Sequence, residues 1–395
     1  MKISQKIKSI HKEVTSWRQN LHSNPELAYE EKWTSNFIIK KLKSFNIEVH
    51  EGIGKTGVVG VLKGVGSDRN IGNRSLALRA DMDALPIKEE NNLSYKSIVD
   101  GKMHACGHDG HVAMLLGAAK ILSEEKKFNG TVYFIFQPAE EGGAGGLEMI
   151  NDGLFDKFSI ESVWGLHNWP GLNVGEIAVH RGSVMASFDQ FRVSVDGLGG
   201  HAAAPHLSCD PILASSGIIQ SIQQITSRRQ NPLDSVVVSV TKIESGTAFN
   251  IIPKSSEFIG TIRTLNSETR FSVQQQFLQI CKSTAEAYGC SADVKIIKGY
   301  PVTVNSLEES NIAIEVAKKV VKKELVKTNL APSMGAEDFA YMLEKRPGAY
   351  IWLGAGKEKK GCMLHNSEYN FNDEIIPLGI SYWCNLVEKE LPLIT

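Results

Sequence analysis

Three short apolar runs, SLALRADMDAL (75–85), TVYFIFQ (131–137) and SVWGLH (162–167), each lead into residues that can bind a metal. Runs this rich in β-branched and aromatic residues read as buried strands, and GVVGVLKG (57–64) has the same texture. Helical spacing precedes and separates them: Ile3, Ile7, Ile10, Val14, Trp17 and Leu21 over residues 3–22, a second helix over 33–45, and a third from His111 to Ser123. Alternating strands and helices of this kind give an open α/β sheet, whose ligands sit at the C-terminal ends of its strands. Here those ends carry Asp81 and Asp83, then Glu140 and Glu141, then His167.

The densest group of donors lies between the second and third runs. In MHACGHDGHVAML (103–115), His104, Cys106, His108, Asp109 and His111 fall within eight positions. Cys106 and His108 pair a thiol with an imidazole two residues apart, which suits zinc or a neighbouring divalent metal. Their place just before a helix favours the thiolate that a metal needs. A polar loop with a helix cap and an inert cysteine is the competing reading. For His104, Asp109 and His111, packing or capping is the expectation.

In PAEEGGAGG (138–146) the adjacent glutamates cannot point the same way. One can hold a metal while the other stays free as a base, as hydrolytic metal sites require. A solvated acidic loop is the alternative there, as a turn with two solvated aspartates is at Asp81 and Asp83.

At 395 residues the chain is long enough for two or three domains, and its texture changes near residue 184. SFDQFRVSVDG, SVVVSVTKIESG, EFIGTIRT and ADVKIIKG alternate with period two, and helical stretches at 210–228 and 267–288 lie between them. This predicts an α+β unit of four strands and two helices over 184–298, inserted into a first domain made of 1–183 and 299–395. GLGGHAAAPH (197–206) falls in a turn of the inserted unit and carries His201; past 300, a helix, the strand AYIWLGAG and a final helix at 376–389 surround His365.

Net charge of −1 gives no support for a nucleic-acid or anionic-membrane surface. The basic, amphipathic start lacks the apolar core of a signal peptide, and no run approaches a membrane span. Six cysteines (106, 209, 281, 290, 362 and 384) show no framework spacing, so a cytoplasmic, reduced protein is the economical expectation.

From Arg18-Gln-Asn-Leu-His-Ser-Asn-Pro-Glu-Leu to His365-Asn-Ser-Glu-Tyr, the chain resembles the aminoacylase-like amidohydrolases, a dinuclear metallopeptidase group. The group includes hippurate hydrolase, auxin-conjugate hydrolases and N-acetyl-diaminopimelate deacetylase. HACGHDGH, PAEEGGAGG, GLHNWP, GGHAAAPH, NIIP, GTIRT and MGAEDFA stand in the group's order, and the ordered set is specific where any one motif is weak.

The resemblance implies a zinc-peptidase-like catalytic domain, with a central mixed sheet and flanking helices, and a lid that also forms a homodimer. It implies two divalent ions per subunit bridged by Cys106, with His108 and His167 on one and Glu141 and His365 on the other. Zinc or manganese is expected, and cobalt or nickel also suits such donors. Glu140 would be the general base, and His201 would reach a partner subunit's site to stabilise the oxyanion. Asn250 and Arg263 would contact the substrate carboxylate, though a structural ion pair is the equal alternative for Arg263.

Wider relatives carry a His-x-Asp motif where this chain has Asp81-Met-Asp83, and a bridging aspartate where it has Cys106. Asp83 would then orient a ligand, and Asp81, Glu337 and Asp338 have no assigned role. The implied activity is hydrolysis of an N-acyl amino acid or short peptide. A dipeptidase or aminopeptidase on the same scaffold is the second reading, and a non-catalytic metal-binding protein the third.

Overall fold

The computed structural model of the chain describes residues 3–65, 74–356 and 363–393. It divides into two compact units: Met1–Gly182 with Val304–Ala331 and Asp338–Thr395, and Ser183–Thr303 with Pro332–Glu337. The sequence reading placed the return to the first unit at 299 and kept 332–337 in that unit.

Up to residue 179 the chain forms α1 (Gln5–Ser23), α2 (Lys32–Ser44), β1 (Glu48–Ile53), β2 (Gly57–Lys63), β3 (Ser75–Asp81), α3 (His108–Glu125), β4 (Thr131–Gln137), α4 (Gly145–Asn151), α5 (Leu154–Lys157), β5 (Ser162–Pro170) and β6 (Ile177–Val179). The second unit holds β7 (Ser183–Met185), β8 (Ser187–Asp196), β9 (Gly200–His201), α6 (Pro211–Gln224), β10 (Val236–Ser245), β11 (Ile251–Ile252), β12 (Ser255–Thr264), α7 (Ser267–Ala287) and β13 (Ser291–Lys298). After β14 (Thr303–Val304) come α8 (Leu307–Val320), β15 (Val326–Lys327), α9 (Ala340–Lys345), β16 (Gly348–Gly356) and α10 (Ile376–Glu390).

The first unit is built on an eight-stranded mixed sheet in the order β1-β2-β4-β3-β5-β16-β6-β15. Its middle strands β4, β3, β5 and β16 run parallel, so their C-terminal ends share one edge. On β4, Val132, Phe134 and Phe136 join the main core and are fully buried, while Tyr133 and Ile135 are buried on the other face. Each such side chain contributes roughly 1.5–3 kcal/mol by leaving water. Packing α1 against α3 and α10 buries the α1 stripe of Ile7, Ile10, Val14 and Trp17.

Two differences in the bounds of elements move site residues. α3 begins at His108, not His111, because Gly107 turns the chain at φ +93°. A Cβ at Gly107 would lie 2.3 Å from Asn168 Oδ1, so both the turn and the close approach need glycine. β5 runs on to Pro170, paired in parallel with β16 as far as Gly356. His167 therefore sits within the strand and not at its end.

The second unit has a four-stranded antiparallel sheet, β10-β12-β8-β13, with α6 and α7 packed on it. Alternate residues Phe191, Val193 and Val195 of β8 face Ile218 and Ile222 of α6 and Phe277 of α7 in one core. The 197–206 segment is more than a turn, since His201 pairs with Ile251 in a short β9–β11 ladder. No described helix is long and apolar enough to cross a membrane. Cys106, Cys209, Cys281, Cys290 and Cys384 are free, and Cys362 lies outside the described residues.

Candidate active site

The shared edge of the parallel strands gathers the donors. β3 ends in Asp81 with Asp83 two residues on; the loop after β4 carries Glu140 and Glu141; β5 supplies His167; Cys106 and His108 enter at the start of α3. His365 arrives on the loop before α10, where its N–H donates to Ala105 O at 2.7 Å. It holds φ +61°, a left-handed conformation that a non-glycine residue keeps only when its surroundings impose it.

Donor atoms of Cys106, His108 and His167 lie within 4.8 Å of one another, and so do those of Cys106, Glu141 and His365. Cys106 belongs to both groups. Glu140 belongs to neither, but its carboxylate lies within the same span of His108 and Glu141.

The hydrogen bonds set which ring nitrogen is bare. His108 Nδ1 donates to Asp83 O at 3.0 Å and lies 3.3 Å from Asp83 Oδ1, leaving Nε2 buried with no hydrogen-bonding partner, 3.7 Å from Asp81 Oδ2 and 4.0 Å from Glu141 Oε1. His167 Nδ1 donates to Asn168 O at 2.7 Å, which turns an unprotonated Nε2 towards Cys106 Sγ at 3.4 Å. Glu141 Oε1, 3.1 Å from His365 Nε2, is also buried with no hydrogen-bonding partner. Orphaned polar atoms inside a protein are costly unless something binds them. Borderline nitrogen, thiol and carboxylate donors converging in this way fit divalent metal ions.

The protein's own charges do not prepare the thiolate, contrary to the sequence reading. Burial first, then Glu141, Glu140 and Asp81, push the Cys106 thiol well up. Burial pulls His108 down, but Asp81, Asp83 and Glu141 overcome it and hold the imidazole at about 10. Burial and the neighbouring His111 keep His167 well below its usual value. An excess of negative charge around a thiol is a setting that a bound cation would reverse.

Several residues around this cluster escaped the sequence reading. Arg79, inside the buried strand β3, gives Nη1 to Asp81 Oδ2 at 2.7 Å, Nη2 to Asp338 Oδ1 at 3.0 Å and Nε to Gln137 Oε1 at 2.8 Å. A charged residue in the middle of SLALRADMDAL was the available signal, because such a group is buried only with partners. Asp81 also accepts from His111 Nδ1 at 2.5 Å. Burial would raise its carboxyl, but Arg79, His108 and His111 hold it well below the usual carboxylate range. The Asn168 side-chain amide bridges His111 Nε2, 2.6 Å away, and Tyr369 OH, 2.8 Å away.

Asp109 accepts from His22 Nδ1 at 2.9 Å and Arg18 Nη1 at 3.2 Å, tying α3 to α1. His104 is buried nearby, and burial lowers it to about 4. Asp338 also accepts from Gly146 N at 2.8 Å, and its own N–H reaches Glu140 Oε1 at 3.4 Å. Glu337 is buried in the second unit, where its carbonyl accepts from Thr303 Oγ1.

The remaining candidates lie in the second unit. Exposed His201 accepts from Ala203 N at Nδ1 (3.0 Å), so its Nε2 carries the proton and is free to donate. It lines a groove of about 1110 Å³ together with Asn250. Arg263 lies in a separate hollow, its guanidinium 5.1 Å over the Phe188 ring and its Nε donating to Thr261 Oγ1 at 3.1 Å. Among the described residues no carboxylate pairs with this half-buried cation, and burial lowers its pKa.

A parallel-centred α/β sheet with a thiol–imidazole–carboxylate cluster at its C-terminal edge, and a further carboxylate beside it, defines a metal-dependent hydrolase. The comparison with known proteins gives the family. The chain belongs to peptidase family M20/M25/M40, whose profile matches residues 77–389. It is 42% identical to the hippurate hydrolase of Campylobacter jejuni over 99% of this chain and 100% of that one. It is 40% identical to thermostable carboxypeptidase 2 of Saccharolobus solfataricus, over 96% of each. The crystal structure of a dinuclear metal binding peptidase of the M20 family from Bacillus subtilis matches with a TM-score of 0.84 and 34% identity, covering 96% of this chain and 98% of that one. The resemblance drawn from the ordered motifs therefore holds.

Proposed function

We propose that the protein hydrolyses the amide bond of N-acyl amino acids, with Glu140 as the general base. The observation that carries this reading is the pair of donor groups sharing Cys106, with Glu140 beside both and part of neither. Cys106, His108 and His167 would hold one divalent ion and Cys106, Glu141 and His365 a second, with zinc or manganese the expected metals and cobalt or nickel compatible. Bound there, two such ions would supply a water of lowered pKa and a Lewis acid for the scissile carbonyl.

The chain's own groups do the rest. Glu140 takes the proton of the attacking water and later delivers it to the departing nitrogen. Asp83 fixes the His108 ring at Nδ1 through its backbone carbonyl, with Oδ1 3.3 Å away, and its Oδ2 accepts from the Glu141 N–H at 2.9 Å, so that one residue orients a ligand on each proposed metal. The free Nε2–H of His201 donates to the oxyanion that forms on the carbonyl. Arg263, a half-buried guanidinium with no carboxylate partner, takes the substrate's carboxylate together with Asn250, which comes with His201 from the other copy.

His201 and Arg263 are read as serving different copies of the site in a homodimer formed through the second unit. The groove of His201 contains Ser255 and Ser256, whereas Arg263 stands near the other end of β12. Arg263 lies seven positions along the strand from Ser256, roughly 23 Å at about 3.3 Å per residue, more than a small N-acyl amino acid spans. A cytoplasmic setting is in keeping with the five free cysteines.

Peptide hydrolysis is the second reading, favoured by the identity to a carboxypeptidase. Rates on matched N-benzoyl and N-acetyl amino acids and on dipeptides separate the two. The amidohydrolase reading expects the N-acyl amino acids to have the higher kcat/KM; a preference for dipeptides would transfer the protein to the second.

A further inference from the structure

Glu31 is fully buried at the N-cap of α2, yet its side chain makes no capping hydrogen bond to that helix. The carboxylate of Glu26 does so, accepting from Trp33 N at 3.0 Å and Thr34 N at 2.9 Å. Glu31 instead crosses to the loop that follows β4. Its Oε1 accepts from Ala139 N at 2.9 Å and its Oε2 from Thr56 Oγ1 at 2.6 Å. Ala139, itself buried, immediately precedes Glu140 and holds φ +54°. On the other side of Glu140, the Glu141 N–H donates to Asp83 Oδ2 at 2.9 Å.

The residue read as the base is therefore flanked by two backbone N–H groups, each held by a different buried carboxylate. Neighbouring contacts hold the loop further: Tyr29 OH donates to Gly143 O at 2.6 Å, and Gly145 N to Ala139 O at 3.1 Å. A left-handed alanine needs such restraint, since its Cβ disfavours that conformation.

We propose that Glu31 is a positioning residue for Glu140, fixing through Ala139 the peptide from which the base projects. The proposal rests on the reading of Glu140 as the base. Both carboxylate oxygens meet donors, so truncating the side chain leaves the buried Ala139 N–H without the acceptor that holds it. A buried acceptor of this kind serves geometry, because it touches neither substrate nor any proposed metal ligand side chain.

The test uses the full-length, metal-loaded protein and measures kcat, KM and metal content for Glu31→Ala beside wild type and Glu140→Ala. The expected result is a kcat about ten- to a hundredfold lower, the cost of displacing a catalytic group by a fraction of an ångström to an ångström, with KM and metal content unchanged. Should Glu31→Ala not yield folded protein, Glu31→Asp keeps the charge but withdraws it by one methylene, and the same split between kcat and KM is expected. Wild-type kcat in the folded variant, or a loss matched by lost metal or raised KM, would overturn the proposal. Glu140→Ala separates the two layers. If it turns over normally, the reading of the base fails; if it is inactive while Glu31→Ala is normal, only the positioning role fails.

Discussion

Cys106 Sγ lies 3.4 Å from His167 Nε2, and it shares one donor cluster with His108 and another with Glu141 and His365. A single sulfur common to both clusters makes the two proposed metals unequal in their sensitivity to mutation.

Cys106→Ala should therefore lose both ions, whereas His365→Ala should keep the one held by Cys106, His108 and His167. Elemental analysis of the purified variants gives the stoichiometry directly. Equal losses in the two variants would refute the bridging role. Removing metal from wild type with a chelator should also lower the melting temperature, because it leaves buried carboxylates crowding one another.

Glu140→Ala should retain its metal and lose turnover by about 10²–10⁴-fold, the range for general acid–base catalysis. The measurement is steady-state kinetics on protein whose metal content matches wild type. Activity within a few-fold of wild type would remove Glu140 from the mechanism.

His201→Ala should cost about 10²–10³-fold in kcat without loss of metal, as for one oxyanion donor. Mixing it with Glu140→Ala should restore part of the activity if one subunit's His201 serves the other's site. A mixture no more active than its components would place His201 on its own subunit's site or outside the mechanism.

The pH dependence of stability should carry the signature of His22. Burial lowers this imidazole, but Asp109 and Glu89 overcome it and raise it to about 9. Because the folded value exceeds the unfolded one of about 6.5, the contribution is fully present below pH 6.5 and lost as pH rises through about 9. Its ceiling is about 3 kcal/mol, from the size of the shift. Melting temperatures between pH 6 and 10 should fall more steeply for wild type than for His22→Gln; parallel curves would contradict the assignment.

How much was legible in the sequence depended on whether a residue acts through its neighbours along the chain. Strands β3, β4 and β5 were readable because both their faces are buried, and the donors at their ends followed from the parallel arrangement. The starts and stops were less so. Gly107 moved the beginning of α3 because Asn168, 61 positions away, leaves no room for a Cβ. The contacts around the cluster were the least readable. Arg79 to Asp338 and Glu31 to Ala139 join residues 259 and 108 positions apart, and no local pattern encodes such pairs. The electrostatics at Cys106 were misjudged for the same reason: the helix end is local, whereas the carboxylates of Glu140, Glu141 and Asp81 arrive through the fold.

The proposed function has this cluster, once loaded with metal, hydrolysing an N-acyl amino acid with Glu140 as its base. The most direct measurement is amine release from N-acetyl and N-benzoyl amino acids by metal-free protein reconstituted with zinc or manganese, run beside Glu140→Ala. Release that requires metal and disappears in the variant is the result expected. Release that persists without metal, or is undiminished in the metal-replete variant, would contradict the account.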